Sequence, residues 1–258
     1  MAFDNILKSI ISDFSEDKSN FLYISLPKQL IEETPDLLKD TSFSVINLTR
    51  NFAPIKPFMQ ILKECNPSEE IINQNSYSLQ QETIQEYLLN GNAKERRDFI
   101  NHEEVFFEKT RITQTVSTII RNLCDKNYVI QNAQELSIEA IEIIKSLEKH
   151  RFNGKIIFCF DNEKIENSST ELQAFIDEKH KQNNFYEITN NEKFESKELS
   201  IKESVPTFDI LYNSLRDCRL LFSLDQGKTI SKWIISNIDS LKFSKNQKRL
   251  IHYEIAII

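Results

Sequence analysis

The sequence predicts an α/β protein, a parallel sheet flanked by helices and followed by a C-terminal all-helical appendage. Three observations lead there. Short apolar runs alternate with amphipathic stretches as far as residue 188, the pattern of strand–helix–strand units. From Phe208 onward only helical periodicity remains. The 258 residues include only 3 glycines, against about 18 at ordinary usage, so backbone that must pass close to a phosphate or take up positive φ is scarce.

The elements follow in order. Phe3, Ile6, Leu7, Ile10, Ile11 and Phe14 repeat at helical spacing over Phe3–Phe14, and the polar stretch Ser15–Asn20 ends that helix. Phe21–Ser25 is a short apolar run stopped by Pro27, a buried strand. A helix over Lys28–Lys39 leads to a second strand, Phe43–Leu48. The prolines of Asn51–Pro57 call for extended chain before a helix at Phe58–Cys65, and 66–79 reads as a polar loop. Two helices are expected at Leu79–Leu89 and Ala93–Lys126, then a strand at Tyr128–Ile130. Ser137 is placed to cap a helix over Ile138–His150, which an Asn-Gly turn at Gly154 separates from the strand Lys155–Phe160. A helix at Thr170–His180 and a weak strand at Phe185–Ile188 complete the alternation, which implies βαβ crossovers. The polar stretch Asn190–Pro206 is the expected boundary, dividing residues 1–200 from 207–258.

Three helices are expected beyond it, Phe208–Phe222, Leu224–Ile238 and Ser244–Ile258, with Gly227 in a connection between them. The last helix ends apolar and uncapped, which calls for a continuing chain or a docking partner. Trp233, the only tryptophan, fits a core stripe with Ile230, Ile234 and Ile238.

Charge and thiols narrow the function classes. Net charge is −7 with a pI near 5.3, which repels a phosphate backbone and disfavours nucleic acid as a partner. Only the tail is basic: residues 211–258 hold 8 Lys+Arg and 4 Asp+Glu. Cys65, Cys124, Cys159 and Cys218 show no C-x-x-C spacing and read as reduced thiols of an intracellular, cytoplasmic protein. No signal peptide or membrane-spanning run is visible. His102, His150, His180 and His252 have no i+3 or i+4 partner for a metal, and the adjacent acids Glu32-Glu33, Glu69-Glu70 and Glu103-Glu104 point about 100° apart on a helix, too divergent for a shared dyad. Ser25 lacks the flanking glycines of a nucleophile elbow.

Ala53-Pro-Ile-Lys-Pro-Phe-Met-Gln-Ile-Leu62, the helix Arg111–Lys126 with the following Asn127-Tyr-Val-Ile-Gln-Asn-Ala-Gln-Glu-Leu-Ser137, and the helix and strand Ile138–Lys149 and Lys155–Phe160 form a recognisable series. Together they resemble the STAND-type, AAA-related P-loop ATPase domain of bacterial multidomain signalling proteins, over about residues 20–190. That family commonly continues into tetratricopeptide-like helices. The resemblance implies a P-loop-NTPase-like sheet, with a TPR-like or winged-helix-like segment at 207–258 that is cut short.

The departures carry the functional expectation. In place of G-x-x-x-x-G-K-[ST] stands Ser25-Leu-Pro-Lys-Gln-Leu30, without a glycine and too short for a cradle of backbone N–H groups. Lys28 reads as an exposed first-turn residue. Gln131-Asn132 occupy the place of the two Walker B acids, and amides neither hold Mg²⁺ well nor act as a base. Glu135 belongs to the next turn and is expected to be solvated or near a helix N-terminus, and Asp161 falls at the family's sensor position. The sequence therefore implies a pseudo-NTPase scaffold of a bacterial cytoplasmic signalling protein. It would have no catalytic, cofactor-binding or metal residue, and would meet a protein partner or a second copy through the C-terminal helices, away from membranes. The alternatives are an ATP-binding switch using Lys28 with Asp161 or Arg50, and a fragment of a DNA-binding regulator using the basic tail.

Overall fold

The computed structural model describes residues 2–38, 42–48, 55–77, 102–150, 152–182, 184–188, 206–220 and 223–258. The chain opens with α1 (Ala2–Glu16), whose Leu7, Ile11 and Phe14 are buried. Strand β1 (Phe21–Leu26) leads to α2 (Lys28–Leu37), and β2 (Phe43–Asn47) to α3 (Lys56–Cys65). Helices α4 (Glu69–Asn75) and α5 (His102–Leu123) precede β3 (Asn127–Gln131). After a 3-10 turn at Ala133–Glu135 come α6 (Ile138–Glu148), β4 (Ile156–Asp161), α7 (Thr170–Lys181) and β5 (Phe185–Glu187). Three helices follow: α8 (Phe208–Leu220), α9 (Leu224–Asn237) and α10 (Lys245–Ile257).

All five strands are parallel, in the order β2-β3-β4-β1-β5. Every residue of β1 and β4 is buried, as expected of parallel strands covered on both faces. One face packs under α3 to α7 through Tyr23, Ile46, Tyr128, Ile130, Phe158 and Phe160. The other packs under α1 and α2 through Leu22, Ile24, Leu26, Val129 and Ile157. Neighbouring strands β1 and β4 therefore send their chains in opposite directions, by α2 on one face and α7 on the other. In open α/β sheets such a switch point makes a crevice at the carboxyl ends of the strands, where ligands bind.

Several expectations change. The segment 66–79 is not all loop: Ser68 accepts a hydrogen bond from the Ile71 N–H, and that cap starts α4 and buries Ile72. Pro57 is not in extended chain but in the first turn of α3, where its missing N–H costs nothing. Gly227 is no connection residue. It lies buried in α9, where a Cβ would sit 2.7 Å from the Ile258 side chain. The apolar C-terminal end is accordingly packed within the chain, Ile258 joining the core of the last three helices. The helix expected at Leu79–Leu89, residues 93–101, Gly91 and the boundary stretch 190–205 lie outside the described residues.

Candidate functional site

The carboxyl edge of β1, β4 and β3 is the place where both the switch point and the family resemblance put ligand chemistry. It is built as follows. Strand β1 passes into α2 through Pro27 alone, which serves as the N-cap with φ −56° and ψ 143°. The Leu30 and Ile31 N–H groups both donate to the Pro27 carbonyl, at 3.0 and 3.3 Å. A turn this tight leaves no loop that could wrap an anion. Lys28, 61% exposed, lies 4.0 Å from the Glu32 carboxylate on the helix surface.

Ser25 is buried, and its hydroxyl donates to Oδ1 of Asn162, just past β4. The Asn162 Nδ2 donates to the Ile188 carbonyl at 3.0 Å, and its backbone N–H to the Leu26 carbonyl at 3.1 Å. One amide side chain thus bridges the ends of β1 and β5 across the crevice.

Gln131 ends β3 and is also buried; its Nε2 donates to the Ile31 carbonyl in the middle of α2. The reason is on α2 itself. Pro35 lies inside that helix, four residues after Ile31, so the donor that would satisfy the Ile31 carbonyl does not exist and the proline ring crowds it. A buried carbonyl left without a partner costs about 1–3 kcal/mol. The amide of Gln131 supplies the missing donor, which a carboxylate at this position could not do.

Asn132 has a left-handed backbone (φ 57°), and its Nδ2 donates to Asn47 Oδ1 at 3.1 Å. Gln134 donates to Asn132 Oδ1 at 3.2 Å and accepts the Asp161 N–H at 3.0 Å. Asp161 is fully buried; its Oδ1 accepts the Glu163 N–H at 3.1 Å, and Lys164 Nζ stands 3.7 Å from Oδ2. The edge is thus cross-tied by side-chain amides and by Asp161 Oδ1, while the buried Asp161 Oδ2 accepts no hydrogen bond.

Beside this edge, a cleft of about 520 Å³ separates the 3-10 turn (Gln134, Glu135, Leu136) and Lys164 from α9, which contributes Thr229, Ile230 and Trp233. Glu135 is exposed, as expected, and borders this cleft just before α6, where partial loss of water raises its carboxyl pKa against the pull of Lys164. Trp233 is half-buried against the core of the last helices and forms one wall.

The remaining candidates do not converge. His180, near the end of α7, has its Nε2 3.3 Å from Glu187 Oε1 and its ring 4.3 Å from that of Phe185. His150 and His252 are exposed, and Arg50 and the side chain of His102 lie outside the described residues. Among the described residues, no group of three or more His, Cys, Asp and Glu is placed to hold a metal ion, and no helix is long and apolar enough to cross a membrane.

One cluster is not visible in the sequence. The Tyr23 hydroxyl donates to Glu148 Oε1 at 2.7 Å, and Lys179, only 2% exposed, lies 2.6 Å from Glu148 Oε2. This trio ties β1 to the C-terminal turns of α6 and α7. Lys179 sits in the run Asp177-Glu-Lys-His-Lys181, where charge alone suggests an exposed face; only Phe175 and Ile176 nearby hint at an inward turn.

No protein-family model, curated protein or solved structure matches this chain.

Proposed function

We propose that the chain is a non-catalytic, pseudo-NTPase scaffold that engages a protein partner through its C-terminal helices. The observation that carries this reading is the Gln131–Ile31 contact: the position of the first Walker B acid in the resembling family holds an amide that the helix break at Pro35 requires. The one-residue passage from β1 to α2, where that family has its phosphate loop, supports it. So does the Ser25–Asn162–Ile188 bridge over the crevice.

The recognition surface is sought elsewhere, on α9 and α10. Leu250, Tyr253 and Ile257 fall on one stripe of α10 and are 47%, 64% and 43% exposed, and Leu224 and Ile235 are exposed on α9. Side chains of this kind gain from being covered by a partner. Lys245 and Arg249, on the same helix α10, suit an acidic partner face. The resemblance suggests a role alongside bacterial cytoplasmic signalling proteins that carry tetratricopeptide-like helices.

Isothermal titration with ATP and with GTP, each with Mg²⁺, tests the non-catalytic reading. No heat of binding is expected up to about 100 μM nucleotide, an affinity near 5.5 kcal/mol. Saturable binding tighter than that overturns it.

A further inference from the structure

Helices α5 and α6 pack against each other, and each runs back to the amino end of a strand, α5 to β3 and α6 to β4. Near their ends the gap between them opens into a cleft of about 310 Å³. It lies at the other end of the sheet from Gln131, and its role is independent of the pseudo-NTPase reading. Helix α5 lines it with Gln114, Ser117, Thr118 and Arg121, at i, i+3, i+4 and i+7 on one stripe. Ser146 of α6 and His150 just beyond that helix form the facing wall. Tyr77 closes a third side. Its backbone N–H donates to Thr115 Oγ1 at 3.0 Å, which holds the chain after α4 against α5, and the residue is 51% exposed.

The two serines are satisfied by the fold, and the polar groups around them are not. Ser146 Oγ donates to Ser117 Oγ at 3.0 Å, and the buried Ser117 hydroxyl donates on to the Gln114 carbonyl at 3.1 Å. Thr113 and Thr115 return their hydroxyls to the carbonyl four residues back, whereas Thr118 does not. Among the described residues, the side chains of Gln114, Thr118, Arg121 and His150 have no hydrogen-bond or ion-pair partner. The chain carries a net charge of −7, yet no Asp or Glu is among the residues lining this cleft. The clefts beside Glu135 and Glu148 mix acids with lysines. Arg121 in the last turn of α5 and His150 past α6 also suit the negative ends of two helix dipoles. That role asks for one cation at each helix end. It does not ask that the two line one cavity together with unengaged hydroxyl and amide donors.

We propose that this cleft binds a small phosphate monoester. Such a group carries close to two negative charges at neutral pH and three strong acceptor oxygens. The Arg121 guanidinium supplies a fixed positive charge and a planar fork of N–H donors. The Thr118 hydroxyl, the Gln114 amide and the His150 imidazole add single donors. Donors carried by two helices suit a tetrahedral group better than a flat carboxylate. The Tyr77 ring and Leu147 give the organic group of the ester apolar surface. A cavity of about 310 Å³ stands at the lower bound for ligand pockets, so that organic group is no larger than about one ring.

The test is NMR titration of the folded full chain with phenyl phosphate, following the His150 ring protons, which are assigned through their loss in His150→Asn. These signals should move saturably with a Kd of about 1 mM, as suits a one-ring ligand of modest efficiency. Arg121→Ala should weaken binding about 10-fold, and Arg121→Lys should restore only part of it, since a point charge lacks the planar fork. Benzoate, with the same ring but a single flat charge, should bind about 5-fold more weakly than phenyl phosphate. Three results overturn the proposal: no saturable shift up to about 20 mM phenyl phosphate, an Arg121→Ala affinity within about 2-fold of the unsubstituted protein's, or benzoate binding as tightly as phenyl phosphate. The comparison of the two ligands is made on the unsubstituted protein, so it stands even if a variant folds poorly.

Discussion

The α/β layers and the C-terminal helices treat their side chains in opposite ways. Around the sheet, most polar groups drawn inward are matched, Asp161 Oδ2 excepted: Gln131 to the Ile31 carbonyl, Asn162 to Ser25 and Ile188, Glu148 to Tyr23 and Lys179. In the last three helices apolar groups are left outward. Six of the nine large apolar side chains exposed among the described residues belong to α8, α9 and α10, although these helices bury only a small core around Leu211, Leu215, Ile230, Ile234 and Ile251. A region that resolves its own polar groups is organised for shape, and one that shows apolar surface is organised for contact. The contrast directs the search for function. The carboxyl edge of the sheet is closed by its own side chains, and the helical face is not.

The polar matching around the sheet is most vulnerable at Glu148. Replacing it by Ala leaves the Lys179 ammonium buried without its main counter-charge, with only Glu178 Oε1 at 3.5 Å. We expect a loss of about 3 kcal/mol, seen as a Tm drop of about 8 °C. A drop under about 2 °C would mean that this matching matters little, and the two regions would no longer differ in kind.

A smaller effect tests the same trio by pH. Burial, and then the charge of Glu148, raise the Tyr23 pKa well above 10. A phenol whose folded pKa is raised stabilises the fold fully below its unfolded pKa, near 10, and loses that contribution as pH rises beyond it. Tyr23→Phe should therefore reduce the alkaline loss of stability above pH 10 by up to about 1.4 kcal/mol per pH unit, measured by urea unfolding. Curves that stay parallel from pH 9 to 11 contradict the assignment; Cys124, Cys159, Cys218 and Tyr128, also raised, supply the slope that remains.

The least change is expected on the helical face. Leu250→Ser with Tyr253→Ser should leave the Tm within about 2 °C, since exposed substitutions cost within about 0.5 kcal/mol. It should nonetheless abolish any self-association seen by light scattering at high protein concentration. A Tm loss above about 5 °C would show that these side chains belong to the core, and the contrast between the two regions would fail.

Much of the architecture is legible in the sequence because parallel strands covered on both faces appear as unbroken apolar runs. Phe21–Ser25 and Lys155–Phe160 are such runs, and the structure places β1 and β4 there to within a residue. Ser137 and the helix after it are legible for a local reason too, since the cap is read from neighbours: its hydroxyl accepts the Ala140 N–H at 3.1 Å. Helix α4 escapes such a reading because a seven-residue helix carries too little periodicity to outweigh polar composition. The site is half legible. The lack of glycine at 25–30 and of acids at 131–132 is written in the residues. What replaces them is not, because Gln131 answers a carbonyl orphaned by the distant Pro35, and sequence spacing gives no sign that β3 ends against α2.

The reading of the sheet edge turns on Gln131 belonging to the fold, with no nucleotide to serve. A double-mutant cycle of Gln131→Leu and Pro35→Ala, followed by urea unfolding, tests this. Gln131→Leu alone leaves the Ile31 carbonyl buried without a donor and should cost about 2 kcal/mol. In the Pro35→Ala background, where the helical N–H is restored, the same substitution should cost under about 0.5 kcal/mol, a coupling of about 1.5 kcal/mol. An equal cost in both backgrounds would show that Gln131 does not answer the break at Pro35, and would return that residue to the groups free for chemistry.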